Sequence, residues 1–388
     1  MSSASGSARP RVVYLDHTAV LSGAELALVR LLPSLHVDAH AVLAADGPLA
    51  ERLRATGAEV EVLELAAEGR SVRRSEVTPR LPLAAMRATG AYVVTLARRL
   101  RALRPDLVHA NSLKAGVYGS IAARLAGVPF VWQVHDRIST DSLPAPAVRL
   151  VRAMLATLPA AVIANSQSTR DTLGKLSRPI VRVIGNAIPP PPEPARTGEH
   201  GGPLRLGLVG TVTRWKGQDV FLDAFARAFP DGSERAVVIG APLFGDDAYA
   251  ASLHGLVERL GIAERVEFRG FRDDVPAELG RLDVLVHASV EPEPFGQVVV
   301  EGMAAGLPVV AATPGGPAEI VDDGVTGLLY PMGDRDALAR AMRELAHDPA
   351  LRARLGDAGR AAAARYAPDR IAAEVDALYA DVLARRRR

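Results

Sequence analysis

The sequence contains no cysteine, and only three of its 46 basic residues are lysines. Without cysteine there can be no disulfide framework, no thiolate metal site and no cysteine nucleophile. The lysines are Lys114, Lys175 and Lys216, and arginine supplies every other fixed cation. With 44 acidic residues the formal net charge is +2, so the total charge indicates no particular partner.

Long hydrophobic runs are also missing. No stretch reaches the roughly 18 apolar residues that a membrane-spanning helix needs, and the polar start MSSASGSARP lacks the pattern of a signal peptide. We therefore expect a cytoplasmic protein, with peripheral contact at the inner face of the membrane left open. A length of 388 residues with 48% hydrophobic residues predicts two or three packed domains and excludes disorder as the main state.

Short β-branched runs alternate with helical patterns along most of the chain. This alternation is typical of parallel βαβ units. The first half contains RVVYL, AHAVL, AEVEVL, DLVHA, PFVWQV, AAVIA and PIVRVI, and the second half contains LRLGLVG, RAVVIG, RVEFRG, DVLVHA, LPVVAA and TGLLY. The sequence therefore predicts an α/β protein with two doubly wound, Rossmann-like domains facing each other across a cleft.

Proline and glycine mark the domain boundary. Four consecutive prolines are followed by a polar, glycine-containing stretch that offers little to bury. We expect a flexible N-terminus over 1–10, an N-terminal Rossmann-like domain over 11–188, a linker over 189–203 and a C-terminal Rossmann-like domain over 204–366. Residues 367–388 are predicted to form a C-terminal helix that crosses back to the first domain.

The turn after the first strand lacks the spaced glycines of a dinucleotide-binding fingerprint, which argues against an NAD site. Ser22 and Gly23 nevertheless stand where the first helix should begin, so backbone N–H groups there can meet a phosphate or sugar oxygen. An ordinary helix start explains the same residues equally well.

Lys216 follows the first strand of the second domain. In a chain that uses arginine for nearly every cation, a lysine at a strand-to-helix turn is a marked choice. A compact ammonium suits a point contact to a diphosphate, whereas a guanidinium favours a planar fork. We therefore expect Lys216 to contact phosphate, with a solvated loop lysine as the alternative.

Two carboxylates, Glu293 and Glu301, flank a predicted helix start at Gly296 or Gln297. Glu293 precedes the helix and Glu301 lies about one turn inside it, so both can face the same cleft beside the helix N-terminus. Carboxylates accept paired hydrogen bonds from vicinal hydroxyls, which suits a sugar and a ribose. Helix capping would account for Glu293 but not for Glu301.

These motifs together resemble a retaining family-4 glycosyltransferase with the GT-B fold. The resemblance runs from SGAE near the start to the terminal helix, and EPEPFGQVVVEGMAAGLPVVA is its most specific part. It implies a nucleotide diphosphate sugar as co-substrate, no other cofactor and no metal. By this resemblance the donor is contacted by Gly23, Lys216, Glu293, Phe295, Gly296, Gln297 and Glu301, and its sugar by His135.

The resemblance assigns distinct roles to several of these residues. Glu293 binds the transferred sugar, Glu301 the ribose hydroxyls and Lys216 the diphosphate, while His135 positions the sugar and is not a general base. The family usually has arginine directly after Gly210, where this chain has Thr211. Arg214 is the candidate to replace it, and the substitution also leaves a weak or inactive enzyme open.

Other residues are expected around the same cleft. Phe271 or Arg272 can stack on the nucleobase, although Phe271 as an ordinary core residue is nearly as good an explanation. Ser22, Asp136 and Asn186 are candidates for the acceptor side of the cleft. No group of histidines and carboxylates has the spacing of a metal site.

A basic stretch lies in the N-terminal domain over 11–188, which by the resemblance is the acceptor domain, while the domain over 204–366 binds the donor. Its nine arginines face one acid, Glu76, and its helix is expected to bury Met86, Val93, Leu96, Leu100 and Leu103. Such a surface can contact anionic lipid or an anionic acceptor, or it can simply be solvated. Nucleic acid is not expected, since the stretch has one aromatic residue, Tyr92. The arginines are Arg70, Arg73, Arg74, Arg80, Arg87, Arg98, Arg99, Arg101 and Arg104.

The resulting hypothesis is a retaining, metal-independent transferase. It moves a hexose-type sugar from a UDP-sugar, favoured over a GDP-sugar, to a hydroxyl of a glycan, a lipid-linked intermediate or a secondary metabolite. A nucleotide-sugar epimerase on the same architecture and a non-catalytic sugar-binding or scaffold homologue are the alternatives.

Overall fold

The computed structural model describes residues 9–66, 83–189, 202–242 and 246–386. The chain forms two compact units. One contains the described residues up to Ala187 together with the chain from Pro368, and the other spans Ile188–Ala367.

The first unit is built on a seven-stranded parallel sheet with strand order β3-β2-β1-β4-β5-β6-β7. Its strands are β1 (Arg11–Asp16), β2 (Asp38–Leu43), β3 (Glu59–Val62), β4 (Leu107–Ala110), β5 (Phe130–Val134), β6 (Ala161–Ala164) and β7 (Ile180–Val183). Its helices are α1 (Gly23–Leu31), α2 (Pro48–Ala55), α3 (Leu83–Leu103), α4 (Leu113–Ala126), α5 (Ala145–Thr157) and α6 (Gln167–Thr172).

The central strands of this sheet are apolar on both sides because helices cover both faces. Every residue of β4, β5 and β6 is buried. Trp132 on β5 is fully buried in the main core, and helix α4 passes so close that a Cβ at Gly116 would lie 1.8 Å from the Trp132 ring. Glycine at this position therefore fixes how closely α4 approaches the sheet.

Helix α3 confirms most, but not all, of the predicted apolar face. Val93, Leu96 and Leu100 are buried and Leu103 is partly buried against the same core. The expectation for Met86 was wrong, since its side chain is 56% exposed. Met86 lies near the start of the helix and has helical spacing with the buried residues, so spacing alone does not decide which side chains of this helix are covered. The arginines of the basic stretch that fall between residues 70 and 82 lie outside the described residues.

The second unit is built on a six-stranded parallel sheet with strand order β10-β9-β8-β11-β12-β13. Its strands are β8 (Arg205–Val209), β9 (Arg235–Ile239), β10 (Val266–Gly270), β11 (Val284–His287), β12 (Val309–Thr313) and β13 (Leu328–Pro331). Its helices are α7 (Gln218–Ala228), α8 (Asp247–Arg259), α9 (Val275–Leu279), α10 (Gln297–Ala304), α11 (Pro317–Ile320), α12 (Arg335–His347) and α13 (Pro349–Ala363).

The C-terminal helix α14 (Pro368–Arg386) belongs to the first unit. Its residue Tyr379 is buried, and the Tyr379 hydroxyl lies 2.5 Å from His109 Nδ1 on β4 and 3.2 Å from the Tyr14 hydroxyl on β1. Burial lowers the pKa of His109 to about 3, so the imidazole is neutral within this contact. Both these polar contacts and the burial of apolar side chains hold α14 against the sheet.

The predicted fold class is confirmed. All thirteen β-branched runs form strands, and both sheets are parallel with helices between successive strands. Strand order reverses beside the first strand of each unit, which is where open α/β sheets bind ligands. Within the described ranges no helix is long and apolar enough to cross a bilayer.

Candidate active site

Glu293 is the centre of a buried polar cluster in the second unit. It lies in the turn that follows β11, and both of its carboxylate oxygens are 2.8 Å from Lys216 Nζ. His287 Nε2 lies 2.7 Å and Ser289 Oγ 2.9 Å from Glu293 Oε2. One buried carboxylate thus accepts hydrogen bonds from three side chains.

The surrounding contacts fix the ionisation of this carboxylate. The Ala312 N–H donates to His287 Nδ1 at 3.4 Å, which leaves the ring proton of a neutral imidazole on Nε2, facing Glu293. Burial alone would raise the pKa of Glu293, but the charge of Lys216 and the hydrogen bonds from Lys216 and His287 outweigh it and hold this pKa well below its usual range. Glu293 is therefore an anion at neutral pH.

Lys216 is held by the turn that carries it. The chain makes a 3-10 turn over Arg214–Lys216, and the Val290 N–H donates to the Trp215 carbonyl at 2.8 Å. Gly217 has a φ of 67°, and a Cβ there would lie 2.0 Å from the Ala288 carbonyl oxygen. The turn that carries Lys216 thus packs against the end of β11, the strand that leads to Glu293.

Two glycine turns bring backbone close to Glu293. Gly296, with a φ of 98°, caps helix α10, which begins at Gln297 as predicted. The Gly316 N–H donates to the Glu293 carbonyl at 2.8 Å, and a Cβ at Gly315 would lie 3.0 Å from Glu293 N. The positive end of the α10 dipole therefore lies in the same turn as the Glu293 carboxylate.

The remaining predicted donor residues occupy different environments. Glu301 is half-buried inside α10, and Phe295 is buried with its ring 5.4 Å from that of Tyr366. The Phe295 side chain is therefore part of the core of the second unit. Thr211 is half-buried, and its carbonyl accepts a hydrogen bond from Gln218 at 2.9 Å.

Arg214 and the base-stacking candidates lie at the surface. The exposed Arg214 guanidinium stands 5.1 Å from the centroid of the Tyr249 ring. Phe271 is 67% exposed, so the alternative that made it a core residue was wrong. Arg272 is also exposed, with its Nε 3.7 Å from Glu278. The exposed Phe271 ring retains the surface that stacking on a base requires.

His287 and Ser289 were missed at the sequence level. Both belong to the strand end VLVHAS immediately before Glu293. The sequence analysis assigned no role to either residue, and no sequence pattern indicated that the His287 ring would meet a carboxylate six residues later.

A second polar cluster lies at the carboxyl edge of the first unit. Asp16 ends β1, while Asn111, His135 and Asn165 directly follow β4, β5 and β6. Asn111 Nδ2 donates to Asp16 Oδ2 at 3.0 Å, and His135 Nε2 lies 3.1 Å from Asn111 Oδ1. Asn165 Nδ2 donates to the His135 carbonyl at 3.3 Å. Polar groups thus form a row across four adjacent strands.

Burial lowers the pKa of His135 to about 4, despite the opposing charges of Asp136 and Asp16. The imidazole is therefore neutral at pH 7. This supports a positioning role and excludes a permanently charged ring. Asp136 follows directly and is half-buried, whereas Asn186 is buried and its Oδ1 has no hydrogen-bond partner within the described ranges.

The start of helix α1 carries an acid that the sequence did not single out. Glu25 forms a capping box with Ser22, whose N–H donates to Glu25 Oε2 at 3.2 Å and whose hydroxyl donates to the same oxygen. Burial and the nearby Asp16 charge raise the pKa of Glu25 to about 7. Gly23 is the first residue of α1, so the predicted N–H site lies at the capped end.

Across the part of the chain that the structure describes, no three histidines or carboxylates gather in a way that could hold a metal ion. Each of the two Rossmann-like units thus has a polar cluster at the carboxyl edge of its parallel sheet.

Comparison with known families identifies the chain further. Residues 48–190 match the model "Glycosyltransferase Family 4", and residues 192–362 match "Glycosyl transferases group 1". The protein belongs to the family-4 glycosyltransferases.

Among curated relatives, the D-inositol 3-phosphate glycosyltransferase of Streptomyces scabiei is 31% identical over 379 residues, which cover 85% of this chain and 84% of that one. Among solved structures, Anabaena Alr3699/HepE in complex with UDP superposes with a TM-score of 0.82 at 29% identity, covering 96% of this chain and 100% of that chain. The same protein in complex with UDP-glucose gives a TM-score of 0.81 at 28% identity, covering 97% and 100%.

Proposed function

We propose that this protein is a retaining, metal-independent glycosyltransferase that moves a hexose from a UDP-sugar to a hydroxyl of a polyol, glycan or lipid-linked acceptor. The observation that carries the proposal is the buried Lys216–Glu293 pair, which sets one cation and one hydroxyl-binding carboxylate side by side at a strand end. The UDP and UDP-glucose complexes of HepE support the donor.

The diphosphate is assigned to cationic and backbone groups. Lys216 supplies a full charge, and helices α7 and α10, which begin at Gln218 and Gln297, supply the positive ends of their dipoles. Positive charge already in place where the diphosphate leaves stabilises the transition state without reorganisation. Gly23, Thr211 and Arg214 complete the proposed phosphate contacts.

The transferred sugar is assigned to Glu293 and His135, and the ribose to Glu301. Glu293 is ionised, so both of its oxygens can accept hydrogen bonds from vicinal hydroxyls once Lys216 shifts part of its contact to phosphate. Phe295, Gly296 and Gln297 are proposed to contribute backbone contacts. Phe271 and Arg272 are proposed to face the base, and Ser22, Asp136 and Asn186 the acceptor.

The chemical step follows from a retained configuration. The bond from the anomeric carbon to the phosphate oxygen breaks as the acceptor oxygen bonds to the same face. The departing phosphate oxygen takes the acceptor proton, so no protein base is required. The neutral His135 then orients the sugar, which is consistent with a lowered pKa.

Donor binding in the presence of EDTA tests this proposal. A panel of UDP- and GDP-sugars is titrated by calorimetry against the parent protein, Lys216→Ala and Glu301→Ala. Binding should be strongest for a UDP-hexose and lost in both variants. Lys175→Ala and Glu291→Ala, which change an exposed lysine and an exposed acid, should bind as the parent does. Normal binding by both site variants would show that the site is wrongly assigned.

Product analysis with candidate acceptors separates transfer from the alternatives. A glycosylated acceptor with retained configuration supports the proposal. A rearranged donor sugar would indicate an epimerase, and binding without any product would indicate a scaffold role, which Thr211 in place of arginine would then explain.

We also propose peripheral contact of helix α3 with an anionic membrane at the cytoplasmic face. Arg87, Val94, Arg98 and Arg101 follow one another at helical spacing and are all exposed, as is Met86. Arginines interleaved with exposed apolar side chains fit a surface of anionic headgroups. The solvated alternative predicts no binding.

Vesicle sedimentation distinguishes membrane contact of helix α3 from the solvated alternative. The parent should sediment with vesicles that contain anionic lipid and not with zwitterionic ones, and binding should weaken as salt is added. The double variant Arg98→Glu/Arg101→Glu should lose binding, whereas Arg340→Glu, an exposed change in the second unit, should not. Equal sedimentation with both lipid types would contradict the contact.

A further inference from the structure

Asn111 stands between a carboxylate and an imidazole at the carboxyl edge of the first sheet. Strands β1, β4 and β5 are direct neighbours, with Leu15 paired to Ala110 and Ala110 paired to Trp132. The residue that follows β4 is therefore flanked by the ends of β1 and β5. This register alone brings Asn111 between Asp16 and His135.

The hydrogen bonds of its Nδ2 group fix the orientation of the Asn111 amide. Its Nδ2 lies 3.0 Å from Asp16 Oδ2 and 3.2 Å from the Ala24 carbonyl oxygen. Both partners only accept hydrogen bonds when Asp16 is ionised. A flipped amide would place its oxygen against two other oxygens, so the Nδ2 group must face Asp16.

The Asn111 amide oxygen then faces the His135 ring. Asn111 Oδ1 lies 3.1 Å from His135 Nε2, and an oxygen acceptor at this distance requires that Nε2 carry a proton. His135 Nδ1 is shielded from solvent and has no hydrogen-bond partner within the described ranges. In the neutral ring this nitrogen holds a lone pair, which a ligand hydroxyl can satisfy.

We propose that Asn111 is a positioning residue that holds the ring proton of His135 on Nε2, so that Nδ1 accepts a hydrogen bond from a hydroxyl of the bound sugar. This rests on the proposed function, which assigns His135 to the sugar. Asp16 acts indirectly, because its carboxylate fixes the Asn111 amide, and that amide in turn fixes the His135 ring.

Nitrogen NMR of the histidine rings tests the tautomer without any donor present. In the ¹⁵N-labelled parent, with His135→Gln used to assign the signal, His135 should show a protonated Nε2 and an unprotonated Nδ1 at neutral pH. Asn111→Leu, which keeps the side-chain size but removes all three side-chain hydrogen bonds, should give a mixture of the two tautomers. Its kcat/KM for donor should fall roughly 3- to 10-fold, the effect of one neutral hydrogen bond.

Gln133→Leu is the matched control. Gln133 Oε1 lies 3.0 Å from Nε2 of another buried histidine, His109, so this change removes an amide contact of the same kind. It should leave the His135 signals as in the parent. A proton on Nδ1 in the parent, or an unchanged tautomer in Asn111→Leu, overturns the inference. A lack of donor binding would instead overturn the proposed function and leave the tautomer result standing.

Discussion

Lys216 Nζ lies 2.8 Å from both carboxylate oxygens of Glu293, and the two side chains are only 14% and 10% exposed. The site therefore contains its own counter-charge. Under the proposed function, a donor diphosphate competes with Glu293 for the lysine, and the carboxylate released in this way becomes available to sugar hydroxyls.

Removing one partner of this pair should destabilise the fold more than removing both. Lys216→Met should lower the free energy of unfolding by about 3 kcal/mol because Glu293 stays buried without its ion-pair partner. Lys216→Met/Glu293→Gln should recover part of that loss. Urea denaturation of the four proteins in the double-mutant cycle measures the coupling, and strictly additive changes would contradict it.

Glu293→Gln should lower the turnover of transfer at least roughly 100-fold, because the anion that meets the sugar is lost. Gln has the same size, so the unfolding midpoint serves as the control for folding. Turnover close to that of the parent, with the fold intact, would remove Glu293 from the catalytic set.

Gly315→Ala should weaken donor binding as well as stability. A Cβ there would lie 3.0 Å from Glu293 N and 3.1 Å from Glu293 O, at a φ of 140°. Gly333→Ala is the matched control, since its φ is 77° and nothing lies within 4 Å of the added carbon. The control should cost about 1 kcal/mol from backbone strain alone. Equal effects of the two changes on donor affinity would contradict a supporting role for Gly315.

Glu25→Gln should change how stability depends on pH. The pKa of Glu25 is raised from 4.5 to about 7, so the folded state binds its proton more tightly than the unfolded state does. The stabilisation is complete below about pH 4.5 and is lost as the pH rises through about 7. The neutral amide keeps the capping box but does not titrate.

Denaturation of the parent and of Glu25→Gln between about pH 5 and pH 8 measures this difference. The parent should gain stability relative to the variant as the pH falls. Glu51→Gln, an exposed change in α2, should follow the parent, and parallel curves for the parent and Glu25→Gln would show that Glu25 does not titrate in this window.

Arg214→Ala tests whether Arg214 replaces the arginine that the family usually has at the position of Thr211. If Arg214 contacts the diphosphate, the affinity for donor should fall roughly 10-fold, as expected for one charge-assisted hydrogen bond. Thr211→Arg/Arg214→Ala should then restore most of the binding. Arg259→Ala, an exposed change on α8, is the control. Unchanged affinity in Arg214→Ala would leave Lys216 as the main cation.

The strands were readable from the sequence because parallel strands covered on both faces form continuous apolar runs. Every residue of β4, β5, β6 and β11 is buried, and each appears as an uninterrupted or nearly uninterrupted hydrophobic segment. Helix faces were less certain. Met86 shares helical spacing with Leu96 and Leu100, yet it is exposed, because spacing does not say how far the sheet extends along a helix.

In the candidate site, too, the sequence identified some residues but not the contacts between distant ones. Lys216, Glu293, Gly296 and the start of α10 were identified from residue type and short-range order, since turn glycines and helix starts are properties of local sequence. The contacts of His287 with Glu293 and of Asn111 with His135 were not. Asn111 and His135 are 24 positions apart, and only strand order and register bring them together.

The sequence by itself determined the fold class and identified the cationic and acidic residues of the candidate site, because buried strands, turn glycines and the choice of lysine over arginine are local signals. Only the tertiary structure decided the ionisation of Glu293, the raised pKa of Glu25 and the ring proton of His135. Each of these depends on burial and on partners from other strands and turns, and a linear pattern does not encode distances between them.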